Sequence, residues 1–163
     1  MLSRRALLTG ASGIAALAAL RATARPDAAL AGPFEVEKSE AEWRHQLTAA
    51  QYDVLRNHGT EAPFSSPLDH EKRKGIFACA GCDPPLFSSD AKFDSHTGWP
   101  SFYQPLPNAV ATSEDRSYFM LRTEVHCRRC GGHLGHVFND GPPPTGLRYC
   151  MNGIALTFKP AAA

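Results

Sequence analysis

Apolar and polar positions alternate with a helical period at the start of the globular chain and with a strand period further on. Trp43, Leu47, Tyr52 and Leu55 form an apolar stripe at helical spacing. Two capping signatures frame it. Ser39 with Glu42, and Thr48 with Gln51, each fit the S/T-x-x-E/Q box, in which side chains and backbone N–H groups at a helix start satisfy one another. Leu47 and Tyr52 take the staple positions around the second box, and Gly59 is a natural stop, so two short helices are predicted. Thr60 to Asp69 is rich in Pro and Ser and reads as a loop. Gly75 to Cys79 reads as a short strand, after which Pro84-Pro85 forces the chain to turn, and Phe87 to His96 has turn residues around Phe93. The aromatic stretch from Thr97 to Tyr103, broken by Pro100, suits a surface loop or edge strand. Ser117 to Val125 is expected to be a strand, with Tyr118 and Phe119 starting it. Leu147 to Phe158 is expected to be another, with Ile154, Leu156 and Phe158 on one side and Thr157 and Lys159 on the other. Short strands, many turns and small leading helices predict a mainly β domain, its antiparallel sheets packed as a small barrel-like unit.

At 163 residues and 43% hydrophobic, the chain suffices for one core and not comfortably for two. A net charge of +1, with the two signs interspersed, leaves no basic face for a polyanion, so nucleic acid is not an expected partner. Residues 1–31 differ in kind from the rest. Arg4-Arg5 precede an uncharged run from Ala6 to Leu20, and small-x-small sites follow at Ala22 to Ala24 and Ala29 to Ala31. This predicts an export leader of twin-arginine type ahead of a domain spanning 32–163, and hence a periplasmic protein. An ordinary secretory signal or an uncleaved leader is the alternative. The run is too rich in Gly, Ser and Ala for a transmembrane helix, so no stable membrane insertion of the mature protein is expected. Nothing in the sequence argues against a monomer.

The five cysteines divide into four and one. Cys79 and Cys82, then Cys127 and Cys130, form two CxxC knuckles separated by 44 residues, the spacing of a four-thiolate structural zinc site. One tight turn aims two sulfurs at one ion, and two turns complete a tetrahedron. A local site from Cys127, Cys130, His133 and His136, or oxidation of both knuckles to disulfides, stays open. Folding in the reducing cytosol before export would let the thiolates take up metal first. Cys150 is left over, either a small buried hydrophobe or a nucleophile. On a regular strand Arg148, Cys150 and Asn152 share a face, and a guanidinium beside the thiol favours thiolate. His133 and His136, three apart, can face the same side of a turn as proton carriers, or be structural. His45, His58, His70, His96 and His126 are read as surface residues, and Trp99 as core or site.

Four stretches together resemble methionine sulfoxide reductase B: Phe77 to Cys82 (FxCxxC), Leu86 to Pro105 with its GWPSF, Arg122 to Pro142 with its HLGH, and Thr145 to Asn152 with its RYCxN. The resemblance covers most of the chain from about Glu37 to Lys159. It implies reduction of the R epimer of methionine sulfoxide, free or in oxidised proteins, on a β fold with a structural Zn2+. By the same resemblance Cys150 is the nucleophile, and His133 and His136 bind and help protonate the sulfoxide. Trp99 cradles the substrate methyl group with Phe102 of the same motif contributing to binding, while Arg148, Asp140 and Asn152 shape the site and its water network.

That chemistry matches the residue types. A sulfoxide sulfur is electrophilic once its oxygen takes a proton, so a thiolate and a proton donor are the parts required. The product on the enzyme is a cysteine sulfenic acid, which a second thiol resolves. Many members of the family carry a resolving cysteine in the loop before GWPSF, where this chain has Thr97. With the other cysteines committed to metal, an external thiol or thioredoxin-like protein is the expected reductant. Asp83 replaces a family glycine after the first knuckle, and Gly153 a residue that is often serine.

Overall fold

The computed structural model describes residues 34–162, and the expected export leader lies outside them. Both capping boxes are formed. Ser39 Oγ accepts the Glu42 N–H at 3.3 Å while the Glu42 carboxylate accepts the Ser39 N–H at 2.8 Å, and Thr48 and Gln51 repeat the exchange at 3.2 and 3.1 Å. The helices they start, α1 (Glu40–Gln46) and α2 (Ala49–Asn57), bury Trp43, Tyr52, Val54 and Leu55. α2 closes on His58 in the left-handed region (φ 57°), one residue before the glycine expected to stop it.

Nine strands follow among the described residues: β1 (Gly75–Cys79), β2 (Pro85–Ser88), β3 (Lys92–Phe93), β4 (Ser101–Phe102), β5 (Val110–Asp115), β6 (Arg122–Cys127), β7 (His133–Phe138), β8 (Arg148–Met151) and β9 (Leu156–Pro160). They pair antiparallel into two sheets, β2-β1-β9 and β3-β4-β8-β7-β6-β5. An aromatic seam joins the sheets. Phe77 of β1 meets Phe102 of β4 and Phe158 of β9, each at 5.0 Å between ring centroids, and Phe87 of β2 stacks on Phe102 at 4.4 Å. Phe77, Phe87 and Phe102 are wholly buried, and truncating such a ring to Ala costs roughly 3–5 kcal/mol. The helices cover the cysteine knuckles, where Arg56 donates to the Cys130 carbonyl and Gln46 to that of Gly81. No helix among the described residues is long and apolar enough to cross a membrane.

Three expected elements differ. The stretch Ser117 to Val125 is not one strand: Ser117–Phe119 is a 3-10 turn, and β6 starts at Arg122. Phe119, expected to begin the strand, instead sits fully exposed with φ 58° at the tip of a β5–β6 hairpin. Leu147 to Phe158 is broken into β8 and β9, which belong to different sheets. The break falls at Gly153, where the Glu61 carboxylate takes the Gly153 and Ile154 N–H groups that a continuous ladder would use. The Thr97 to Tyr103 stretch is not at an edge, because β4 pairs with both β3 and β8. Asp83 adopts φ 68°, the left-handed backbone that explains why glycine suits this position.

Candidate active site

Strand order places Cys150 inside the large sheet. On β8 it pairs with Ser101 of β4 on one side and His136 of β7 on the other. Half-buried, it lines a cleft of about 130 Å³ with Trp99, His136, Phe138, Asn152, Thr60 and Arg122. β7 reaches β8 only because residue 135 is glycine: a Cβ there would lie 2.1 Å from the Cys150 carbonyl oxygen. The same place carries a β-bulge. Val125 pairs with Gly135 and His126 with His133, which leaves Leu134 as an extra residue. On a regular strand residues three apart face opposite sides. The bulge instead brings the His133 and His136 rings to 5.4 Å, edge to face. The two imidazoles thus meet on a bulged strand, not on a turn.

Each imidazole is held by a carboxylate that sequence reasoning missed. His136 Nε2 lies 2.7 Å from Asp115 Oδ2, which also accepts from Arg122 at 2.7 Å. The Ser117 backbone N–H and hydroxyl hold Asp115 well below the usual carboxylate range, against burial and with help from His136 and Arg122. An ionised Asp115 accepts the Nε2 proton, which leaves Nδ1 of a neutral His136 bare. Burial, and secondarily Arg122, lower the His136 pKa although Asp115 opposes them. His133 is 2% exposed, with Nδ1 2.8 Å from Glu124 Oε1 and a buried Nε2 that has no hydrogen-bond partner. Glu124 also lies 3.0 Å from His58 Nδ1 and accepts from Ser113 Oγ at 2.6 Å. Burial disfavours its charge, but His133, Ser113 and His58 outweigh that and hold it at about 2. His126 is not the surface residue expected but is buried edge-on against Phe34, while His58 is exposed as expected and joins this network from the surface. The readable signal was parity, since Arg122, Glu124 and His126 alternate along β6.

Around the thiol lies a hydroxyl chain. Thr97 Oγ1 is 3.9 Å from Cys150 Sγ, Ser95 bridges Thr97 and Ser101 at 2.8 and 2.7 Å, and Ser101 donates to the Trp99 carbonyl. Burial pushes the Cys150 thiol up, and Thr97, Arg148 and Ser101 only partly offset it. The guanidinium acts in the expected direction but does not win. Arg148 is bound bidentately by Asp140 at 2.9 and 2.8 Å and lies over the Phe138 ring. Asp140 is largely exposed and Arg148 largely buried beside Cys150, so this pair clamps β8 to the loop after β7 and holds the guanidinium next to the thiol. Asn152, at the end of β8, donates to the Leu134 carbonyl and reaches the cleft. Trp99 reaches it too, its indole N–H donating to the Glu61 carbonyl at 3.1 Å. Phe102 does not: it is core, packed between Phe77 and Phe87, and the expected substrate contact is corrected accordingly.

The other four sulfurs gather apart from Cys150, all within 4.8 Å of one another. Cys79 to Cys130 is 3.8 Å and Cys82 to Cys127 is 3.6 Å. These separations are far beyond a disulfide bond of about 2.05 Å. They match the edge of about 3.8 Å that four thiolates make around an ion at about 2.3 Å. The Gly81 N–H points at Cys79 Sγ at 3.3 Å, the kind of donor a thiolate accepts. The donor set is complete without His133 or His136, so the mixed site is not what forms.

Residues 47–160 match the SelR domain. The chain is 57% identical over 127 residues to the peptide methionine sulfoxide reductase MsrB of Agrobacterium fabrum, covering 77% of this chain and 94% of that protein. It is 60% identical over 125 residues to the MsrB of Methanosarcina barkeri, covering 76% and 88%. The MsrB of Pseudomonas entomophila is 54% identical over 127 residues, covering 77% and 97%. The chain belongs to the MsrB family. As an MsrB it is an oxidoreductase acting on methionine sulfoxide, and the shared region takes in both the cysteine clamp and the Cys150 cleft. Glycine at 153 has a local reason: a Cβ there would lie 2.0 Å from Ser66 Oγ.

Proposed function

We propose that this protein reduces methionine (R)-S-oxide, mainly in oxidised polypeptides, through Cys150 alone, and that an external thiol completes the cycle. One observation carries the reading: of five cysteines, four are gathered in the clamp, and the fifth faces a cleft with an indole and an imidazole. The substrate methyl group rests against Trp99, its sulfur faces Cys150, and its oxygen lies toward the imidazole side. The thiol keeps its proton at rest, since burial raises its pKa. As sulfur attacks, that proton is the one the sulfoxide oxygen needs, and His136, with Nδ1 bare, takes it and passes it on. His133, locked by Glu124, adds a second imidazole whose Nε2 is free for a polar partner. The sulfoxide S–O bond breaks, an S–O bond forms at Cys150, and methionine leaves a sulfenic acid behind. A thiol then attacks that sulfur and water leaves. A second thiol reduces the mixed disulfide and restores Cys150.

Zn2+ is the ion the clamp fits, held by Cys79, Cys82, Cys127 and Cys130. Four thiolates would close its coordination, so it would supply cross-linking and no chemistry. Thr97 in place of a resolving cysteine supports a thioredoxin-like or small-thiol reductant, and the Arg4-Arg5 leader supports an extracytoplasmic setting for that exchange. The test is turnover of separate R and S sulfoxide peptides with excess dithiol. Expected are release of methionine from the R epimer alone and a loss of more than about 10³-fold in Cys150→Ser, as for other catalytic nucleophiles. Turnover by Cys150→Ser near the unsubstituted rate, or consumption of the S epimer, would remove the proposal.

A further inference from the structure

Two cleft walls come from distant parts of the chain, Trp99 from the loop between β3 and β4 and Asn152 from the end of β8. Both are fastened to one residue outside the catalytic motifs, Glu61. Its carbonyl accepts the Trp99 indole N–H at 3.1 Å, and its backbone N–H donates to Asn152 Oδ1 at 3.0 Å. Its carboxylate accepts the Gly153 N–H at 2.5 Å and the Ile154 N–H at 2.9 Å. Neighbouring Thr60 lines the cleft itself. The loop carrying Glu61 has no ladder of its own; the Phe64 N–H fixes its far end on the Gly98 carbonyl at 2.7 Å, and the Glu61 carboxylate is the side chain that ties it to the break between β8 and β9. Without that anchor, the partners of both Trp99 and Asn152 are released together.

We propose that Glu61 is a positioning residue that sets the substrate cleft, joining the Trp99 wall to the Asn152 wall through its carboxylate. It touches neither the reacting sulfur nor, in this reading, the substrate. The inference rests on the functional reading above, in which Trp99 and Asn152 line the substrate site. A carboxylate that accepts two backbone N–H groups is worth more than a neutral acceptor, because hydrogen bonds to charged groups are the stronger kind. Its loss is therefore expected in binding, not in the reactivity of Cys150, whose hydroxyl and guanidinium neighbours belong to other segments.

The experiment compares Glu61→Ala and Glu61→Gln with the unsubstituted protein in four readings: KM and kcat for a methionine (R)-S-oxide peptide, acrylamide quenching of tryptophan emission, alkylation rate of Cys150, and bound metal. Trp43 is 3% exposed, so quenching reports Trp99. For Glu61→Ala, KM should rise about tenfold, the effect of losing one charged hydrogen-bond acceptor. Quenching should rise with it, while alkylation and metal content stay within about twofold, a difference near RT. Glu61→Gln, which keeps one acceptor oxygen, should fall between and carries the test if the alanine variant does not fold. Unchanged KM and quenching in Glu61→Gln and Glu61→Ala would overturn the proposal. So would a joint fall in alkylation, metal and affinity, which marks a merely structural role. Quenching needs no turnover, so failure of the functional reading and failure of the Glu61 anchor are told apart.

Discussion

Cys150 is pulled two ways. Burial raises its thiol pKa, while Thr97, Arg148 and Ser101 lower it, and burial prevails. A raised pKa means a smaller thiolate fraction at a given pH than in a free cysteine, whose pKa is about 8.5. The rate of Cys150 alkylation by a neutral reagent in the substrate-free protein is therefore expected to climb with a midpoint above that value. A midpoint below it would show that the cation and hydroxyls dominate. At this scale the sequence was legible where chemistry depends on residue type: five cysteines split four to one, and two histidines sat close together. It was not legible where a residue matters through a cross-strand partner. Asp115 and Glu124, which hold the two imidazoles, come from β5 and β6; parity along β6 sets Glu124 on a face with Arg122 and His126, but nothing in local spacing joins either carboxylate to β7.

Among the elements, β7 is the one whose irregularity matters most. Its bulge beside Gly135 puts both histidines together and lets the strand approach Cys150. Gly135→Ala would place a methyl 2.1 Å from the Cys150 carbonyl, a backbone clash that no side-chain rotation relieves. A loss of about 3 kcal/mol or more is expected, at the upper end for overpacking, and urea unfolding measures it. Stability within about 0.5 kcal/mol of the parent, the range of ordinary surface changes, would contradict this account of the bulge. Helix starts were readable because capping is local, with all four participants within three residues. The break between β8 and β9 was not, because the group that ends the ladder is a carboxylate about 90 residues earlier in sequence. β5 is not legible either, because only Val110 and Ala111 of its six residues are buried and the rest is polar with no strand-period alternation.

For the molecule as a whole, two sheets meet on an aromatic seam, and the clamp ties β1 of the small sheet to the β6–β7 turn of the large one. Cys79→Ser removes one ligand of four, and loss of bound metal together with cooperative unfolding at ambient temperature is the expected result, read by metal analysis and circular dichroism. A folded, active Cys79→Ser protein without metal would show that the clamp is dispensable. Under the proposed function, the division of sulfurs sets what one turnover leaves on the protein. The decisive measurement is a single turnover of the reduced protein with methionine (R)-S-oxide in the absence of any thiol, read by mass spectrometry of the protein and by product quantification. One methionine per chain and one oxygen on Cys150, trappable by a sulfenic-acid reagent and cleared on adding dithiol, is the predicted result; an internal disulfide at Cys150, or no methionine released, would contradict it.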